Sequence, residues 1–261
     1  MKKTFLFSLS VIASLASFAG NPINKISIKK TTTAVAPEDG GNKLSIGLSV
    51  GVCIPLQNFG AKTTNTDSAR VNGYANTGFH YNVNFGYKFS KYVGGMLMVG
   101  GSVNSFNTAA FGGNTAFSTL TASGPHYIGQ YLIGPYLAIP IGKKFSVEVR
   151  ALVGLMTSSY PKLSENASFS YGGYSFGGSY EAKYKSGAAF GYNFGLGGKY
   201  MVSDHVGITL HAAYAGTNMV YNGLTSTIGA SGTTPITTTS TTPIHMSIGM
   251  INITGGIAYC F

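Results

Sequence analysis

From Lys43 to the C-terminus, large apolar residues recur at every second position. Leu44, Ile46, Leu48, Val50, Val52 and Ile54 alternate with Ser45, Gly47, Ser49, Gly51 and Cys53, which is the pattern of a strand with one oily face and one small or polar face. The alternation returns at Phe79, Tyr81, Val83, Phe85, Tyr87 and Phe89, opposed by His80, Asn82, Asn84, Gly86 and Lys88. A weaker third strand holds Val93, Leu97, Val99 and Val103, with Met96 and Met98 on its other face. Tyr127, Tyr131, Ile133, Leu137 and Ile139 mark a fourth, opposite His126, Gln130 and Tyr136; Phe145 to Leu155 makes a fifth, with Ser146, Glu148 and Arg150 opposite. The sixth sets Phe190, Tyr192, Phe194, Leu196 and Tyr200 against Gly191, Asn193, Gly195, Gly197 and Lys199. Val206 to Tyr214 makes a seventh, with Thr209, His211 and Ala213 on its second face, and Ile251 to Phe261 makes the last.

The connections between these eight strands alternate in length. Three are short and alike, Phe89–Val93, Ile141–Phe145 and Val202–Val206; four are long and rich in Gly, Ser, Thr and Asn, at about 55–77, 104–125, 157–187 and 216–245. Short turns at one end and long loops at the other belong to a membrane barrel with a periplasmic and an external rim. The predicted fold is all-β: an eight-stranded antiparallel transmembrane β-barrel, an up-and-down meander over residues 43–261.

Composition supports lipid as the solvent for the oily face. Only 9% of the 261 residues are charged, against about 25% in an ordinary soluble domain. Outside the first twenty residues no apolar run reaches the ~18 residues of a spanning helix, whereas a closed sheet satisfies every backbone group within itself. In a soluble barrel the residues alternating with the oily face would be charged; here they are mostly Gly, Ala, Ser, Asn and Thr, as suits the narrow interior of eight strands. Tyr87, Phe89, Phe145, Tyr200, Tyr259 and Phe261 are placed as an aromatic girdle at the periplasmic rim, in a chain with no Trp.

The N-terminus carries Lys2 and Lys3, then an apolar stretch from Phe5 to Phe18 and the small residues around Ala19. Residues 1–19 read as a signal peptide and 20–42 as a flexible periplasmic leader, ending in Pro37-Glu38-Asp39-Gly40-Gly41. The formal charge of +10 is scattered rather than clustered with aromatics, so no nucleic-acid partner is implied; lysines near strand ends suit anionic lipid head groups.

Ile257, Tyr259 and Phe261, apolar or aromatic at alternate positions up to a terminal Phe, look like the signal read by the outer-membrane assembly machinery. With the eight strands and the turn pattern, residues 43–261 resemble the small outer-membrane barrels of the OmpA, OmpX and OmpW type. The resemblance implies the bacterial outer membrane as location, and outer-membrane lipid and the barrel-assembly machinery as partners. It implies a monomer. The chain departs from OmpA in stopping at the last strand, with no peptidoglycan-binding domain after it.

One inward carboxylate stands out. Counted from the turn at 142–144, Glu148 falls opposite Ala138 and Arg150 opposite Tyr136, with Lys199 and Lys88 approaching from the periplasmic end. An unpaired buried charge is costly. Glu148 is therefore expected to accept hydrogen bonds from Arg150 or Lys199 and, with Tyr136, to close the lumen. Cys53 and Cys260 also point inward but differ in height by on the order of 25 Å, beyond the ~7 Å that a disulfide spans.

Catalytic readings are thin. His245 and Ser247 faintly resemble the pair of lipid A deacylases but lack an acidic third member; Asp67-Ser68 resembles the palmitoyltransferase pair but no His precedes His80. His80 and His126 read as polar filling, with no metal or cofactor implied. The Thr-rich stretch 225–243 reads as a mobile external loop. The stretch 160–185, with Phe169, Tyr171, Tyr174, Phe176, Tyr180 and Tyr184, reads as strands extended above the membrane. The expected function is a non-enzymatic barrel whose external loops serve adhesion, binding of an extracellular ligand or surface protection; the alternatives are a narrow pore for small solutes and a lipid A-modifying enzyme.

Overall fold

A computed structural model describes residues 43–63, 70–112, 118–171 and 174–261. The expected signal peptide and leader lie outside the described residues, and so does Asp67-Ser68. Eleven antiparallel strands are present among the described residues: β1 (Leu44–Leu56), β2 (Gly78–Lys88), β3 (Val93–Asn104), β4 (Ser118–Ser123), β5 (His126–Ile141), β6 (Phe145–Ser159), β7 (Lys162–Tyr171), β8 (Tyr174–Tyr184), β9 (Gly187–Met201), β10 (Val206–Ala230) and β11 (Ile236–Cys260). Two helical turns interrupt the long loops, α1 (Gln57–Gly60) and α2 (Thr108–Phe111).

Eight of the strands form a ring in the order β1-β2-β3-β5-β6-β9-β10-β11, and β11 returns to β1 from Ser45↔Cys260 to Leu56↔Gly249. The chain is an eight-stranded antiparallel transmembrane β-barrel, an up-and-down meander. The short turns are tight: Phe89 N donates to Val93 O at 3.0 Å and Val202 N to Val206 O at 2.9 Å. Gly142, at φ +79°, gives the β5–β6 turn its left-handed residue.

Alternation puts the oily residues outside. Leu48, Ile133, Leu210 and Ile257 are each about 60% exposed on a closed sheet, a surface that only hydrocarbon can cover. The six girdle aromatics are all exposed at the short-turn end, with Tyr259 and Phe261 in edge contact at 4.7 Å. An oily belt rimmed in this way is that of an outer-membrane barrel.

Two expectations need correction. The Thr-rich stretch 225–243 is sheet for most of its length: β10 and β11 continue past the ring as a long hairpin, paired through Thr225↔Thr239 and Thr227↔Thr237. Thr is β-branched and suits a strand even with no buried face to give it period. Hydroxyl pairs tie the two strands, Ser226 to Thr238 at 2.9 Å and Thr227 to Thr237 at 3.0 Å. The register shifts between Asn222 and Leu224, where Gly223 adopts φ +112° as the residue of the bulge.

The interior, expected to hold small and polar residues, also holds large apolar ones in its upper half. Met98, Leu132, Leu152, Met156, Met219, Met246, Ile248 and Met250 are fully buried there. Glycines facing them make the room: a Cβ on Gly191 would meet Met156 Sδ at 2.3 Å and one on Gly187 would meet Met219 Sδ at 2.8 Å. Small residues on the inward face are thus the counterpart of large ones across from them, not evidence of an open or polar lumen.

Candidate functional site

Three features of the barrel bear on function: a charged cluster low in the lumen, an aromatic cap over the outer mouth, and a sheet that projects beyond the cap.

The charged cluster is built by register. In β6, β9 and β10, Gly197 is the partner of both Glu148 and His211. A Cβ on Gly197 would lie 2.1 Å from His211 Cδ2, so glycine alone lets the two side chains meet over its backbone. His211 Nε2 and Glu148 Oε2 are 3.0 Å apart, and Lys199 Nζ is 2.7 Å from Glu148 Oε1. All three side chains are at least nine-tenths buried. Tyr136↔Arg150 and Ala138↔Glu148 pair in the expected register.

Arg150 lies over Gly195, whose Cβ would meet Arg150 Nε at 2.7 Å. Its Nε has no hydrogen-bond partner among the described residues, and the partners of the carboxylate are Lys199 and His211. Tyr136 is buried with its ring across Gly94. Lys88 lines the short-turn mouth with Tyr136 and Lys199, below the ion cluster. Tyr136, Glu148, Arg150, Lys199 and His211 enclose a cavity of only about 30 Å³, about the volume of one water molecule.

His211 is the member that sequence reasoning missed. Part of the signal was available: it shares the inward face of its strand, and the short β9–β10 turn sets it opposite Gly197, but the register of β9 on β6 that brings Glu148 to the same glycine spans the long 157–187 connection.

Above the cluster, polar side chains interleave with the methionines. His80 Nδ1 pairs with Ser102 Oγ at 2.8 Å, Asn82 Nδ2 with His80 Nε2 at 3.2 Å, and Asn84 donates to Asn82 at 2.7 Å. Met250 Sδ accepts from Ser102, Gln130 and Cys53 at 3.6–3.7 Å. Cys53 pairs with Asn252 while Cys260 pairs with Ser45, and both thiols are free and buried.

The outer mouth is closed by its own loops. Phe59 of α1 is fully buried and meets His126 edge-on at 5.2 Å; Tyr160 meets the same ring edge-on at 4.9 Å, and Phe106 lies 5.9 Å from it. His126, expected to be polar filling, therefore sits in an aromatic cluster, with Nε2 2.7 Å from Gly73 O. Backbone bonds hold the segment as a cap: Gly73 N to Asn58 O, Ala75 N to Phe59 O and Asn107 N to Tyr74 O, at 2.8 to 3.0 Å. Tyr160 Oη donates to Asn72 O at 3.1 Å, and burial pushes its phenol well above the usual tyrosine range.

Beyond the cap, β10 leaves the ring and pairs with β8, β8 with β7 and β7 with β4. With the outer half of β11 this makes a five-stranded sheet, β11-β10-β8-β7-β4. Its lower end buries Leu120, Leu163 and Ala182. Higher up, Tyr180↔Ile228 and Ile228↔Ile236 are direct cross-strand partners. All three are exposed, as is Phe169. The strand β11 from Ile236 to Ser240 pairs only with β10, so this edge is open among the described residues.

The remaining candidates are accounted for locally. Ser247 Oγ donates to Asn218 Oδ1 at 2.9 Å rather than to His245. His245 is exposed, and its carbonyl accepts from Val71 N at 3.0 Å. Ile257 and Tyr259 face outward, and Phe261 ends the chain at the girdle with its amide on Leu44 O at 2.9 Å.

No protein-family model matches the chain, and no curated protein matches it. Among solved structures it is similar to Neisserial surface protein A, at a TM-score of 0.44 and 10% identity over 85% of this chain and 99% of that one. It is similar to Ail, the attachment invasion locus protein of Yersinia pestis, at 0.39 and 11% over 83% and 98%. It is also similar to the outer membrane protein AlkL, at 0.34 and 16% over 92% and 97%.

Proposed function

We propose that this outer-membrane barrel is a non-enzymatic surface protein that binds an extracellular protein partner through the sheet projecting above its cap. The observation that carries this reading is the exposed row Tyr180–Ile228–Ile236, held at one level across three paired strands. Three large apolar side chains in water at adjacent positions raise the free energy of the isolated sheet, and covering them with a partner recovers about 25 cal/mol per Å² buried. A rigid aromatic beside two aliphatic neighbours is the composition of a binding anchor, and the open edge of β11 offers backbone groups for strand addition. Below this sheet the ring serves as its mount.

The test uses cells that carry the chain in their outer membrane, and measures adherence to immobilised serum and matrix proteins. Wild-type cells are expected to adhere above cells lacking the chain. The triple substitution Tyr180→Ser, Ile228→Ser, Ile236→Ser is expected to remove the difference while the barrel stays folded. Equal adherence of the variant, or no adherence by the wild type, contradicts the reading.

A further inference from the structure

The lumen holds more fixed positive charge than its carboxylate balances. Arg150 and Lys199 are both buried on the inward face, and among the described residues Glu148 is the only acidic side chain buried with them. The other described acidic side chains lie elsewhere: Glu165 on β7, Glu181 on β8 and Asp204 in the β9–β10 turn. Both oxygens of Glu148 are engaged, Oε1 by Lys199 Nζ at 2.7 Å and Oε2 by His211 Nε2 at 3.0 Å. Arg150 is only 4% exposed, and its Nε has no hydrogen-bond partner among the described residues. A buried lysine can shed its proton; a guanidinium does not. Two fixed cations against one carboxylate leave a surplus of one positive charge, and a protonated His211 adds to it. An unpaired buried charge is costly.

We infer that the small cavity lined by Arg150 is a binding site for a monovalent anion of halide size. Its volume of about 30 Å³ takes one such ion and is too small for phosphate, sulfate or an organic acid. The wall supplies donors besides the guanidinium. Ser49 and Thr209 are both cross-strand partners of Gly256, so two strands bring a hydroxyl to either side of a residue that has no side chain. Both are buried and both line the cavity. Hydroxyl and guanidinium hydrogens are what a bare anion needs, and such charge-assisted bonds are about twice as strong as neutral ones. A water molecule fits the same space and suits Asn84 Oδ1, an acceptor on the wall without a partner, but it leaves the charge of Arg150 unbalanced. An exchange route exists: Ser45, Tyr136 and Lys199 line both this cavity and a larger bowl of about 630 Å³ at the short-turn mouth.

The experiment follows the unfolding midpoint of the full chain in detergent as bromide replaces gluconate, an anion too large for the cavity, at constant ionic strength. Crystals grown with bromide locate the ion by its anomalous scattering. A saturable rise of about 3 °C is expected, with an anomalous peak within hydrogen-bond distance of the Arg150 guanidinium. Arg150→Met removes the surplus charge and keeps the length of the side chain; it is expected to lose both signals. Lys143→Gln, in the exposed β5–β6 turn, is expected to keep both. Four results overturn the inference: a midpoint indifferent to bromide, which assigns the cavity to water; a peak without a rise, which marks an adventitious ion only; a rise that survives Arg150→Met; or an equal loss with Lys143→Gln, which means diffuse charge. Should Arg150→Met fail to fold, the wild-type midpoint and peak decide.

Discussion

Glu148 and Lys199 form an ion pair at 2.7 Å inside the barrel, with both side chains about nine-tenths buried. Their strands are neighbours, but their Cα positions are not partners: Lys199 is opposite Ser146, and Glu148 is opposite Gly197. The lysine reaches diagonally across the absent side chain of Gly197, and His211 comes to the same carboxylate from the far side.

Removing the shared carboxylate leaves Lys199 and Arg150 buried without an anion. Glu148→Ala is expected to destabilise the barrel by about 3 kcal/mol, the scale for breaking a buried pair, read as a lower unfolding midpoint in detergent. An unchanged midpoint would mean that the cluster is well hydrated and contributes little.

Gly197 is the second sensitive point. An added Cβ would meet His211 Cδ2 at 2.1 Å and Leu210 O at 2.5 Å; the first contact yields by rotating a side chain, the second only by moving a strand. Gly197→Ala should cost about 2 kcal/mol as an overpacking change. Combined with His211→Ala it should still cost more than His211→Ala alone, because the backbone contact remains. Equal stability of the double and single variants would contradict this.

Closure of the sheet predicts a gel signature. With no edge in the ring at which to begin unravelling, the folded protein should survive SDS at room temperature and change mobility only after boiling. Identical mobility before and after boiling would count against a closed ring.

The two cysteines lie at different heights on β1 and β11, with partners Asn252 and Ser45 respectively. Both thiols should be alkylated in protein denatured without reductant. A linked peptide containing Cys53 and Cys260 would contradict the register.

What was legible in the sequence was whatever alternation encodes. The eight ring strands, the short turns, the outward girdle and the facing of Glu148 against Ala138 all follow from period two plus turn length, because a one-residue slip would turn every oily side chain inward. What was not legible depends on pairs brought together across strands. Gly197 looks like one more small residue until both its partners are known, and only then does His211 join Glu148. The methionine filling was hidden for the same reason, since Gly187 and Gly191 face long side chains from other strands. The stretch 225–243 failed differently: a strand exposed on both faces has no apolar period to detect, and its pairing is specified by β-branched residues and a bulge at Gly223.

The barrel is filled rather than open, with the ion cluster at one end and the Phe59–His126–Tyr160 cap at the other. Single-channel recording of the purified protein in planar bilayers tests this directly. The expected result is no steady conductance for the wild type at either polarity. A stable, ohmic conductance from the intact chain would contradict the account and favour a narrow pore.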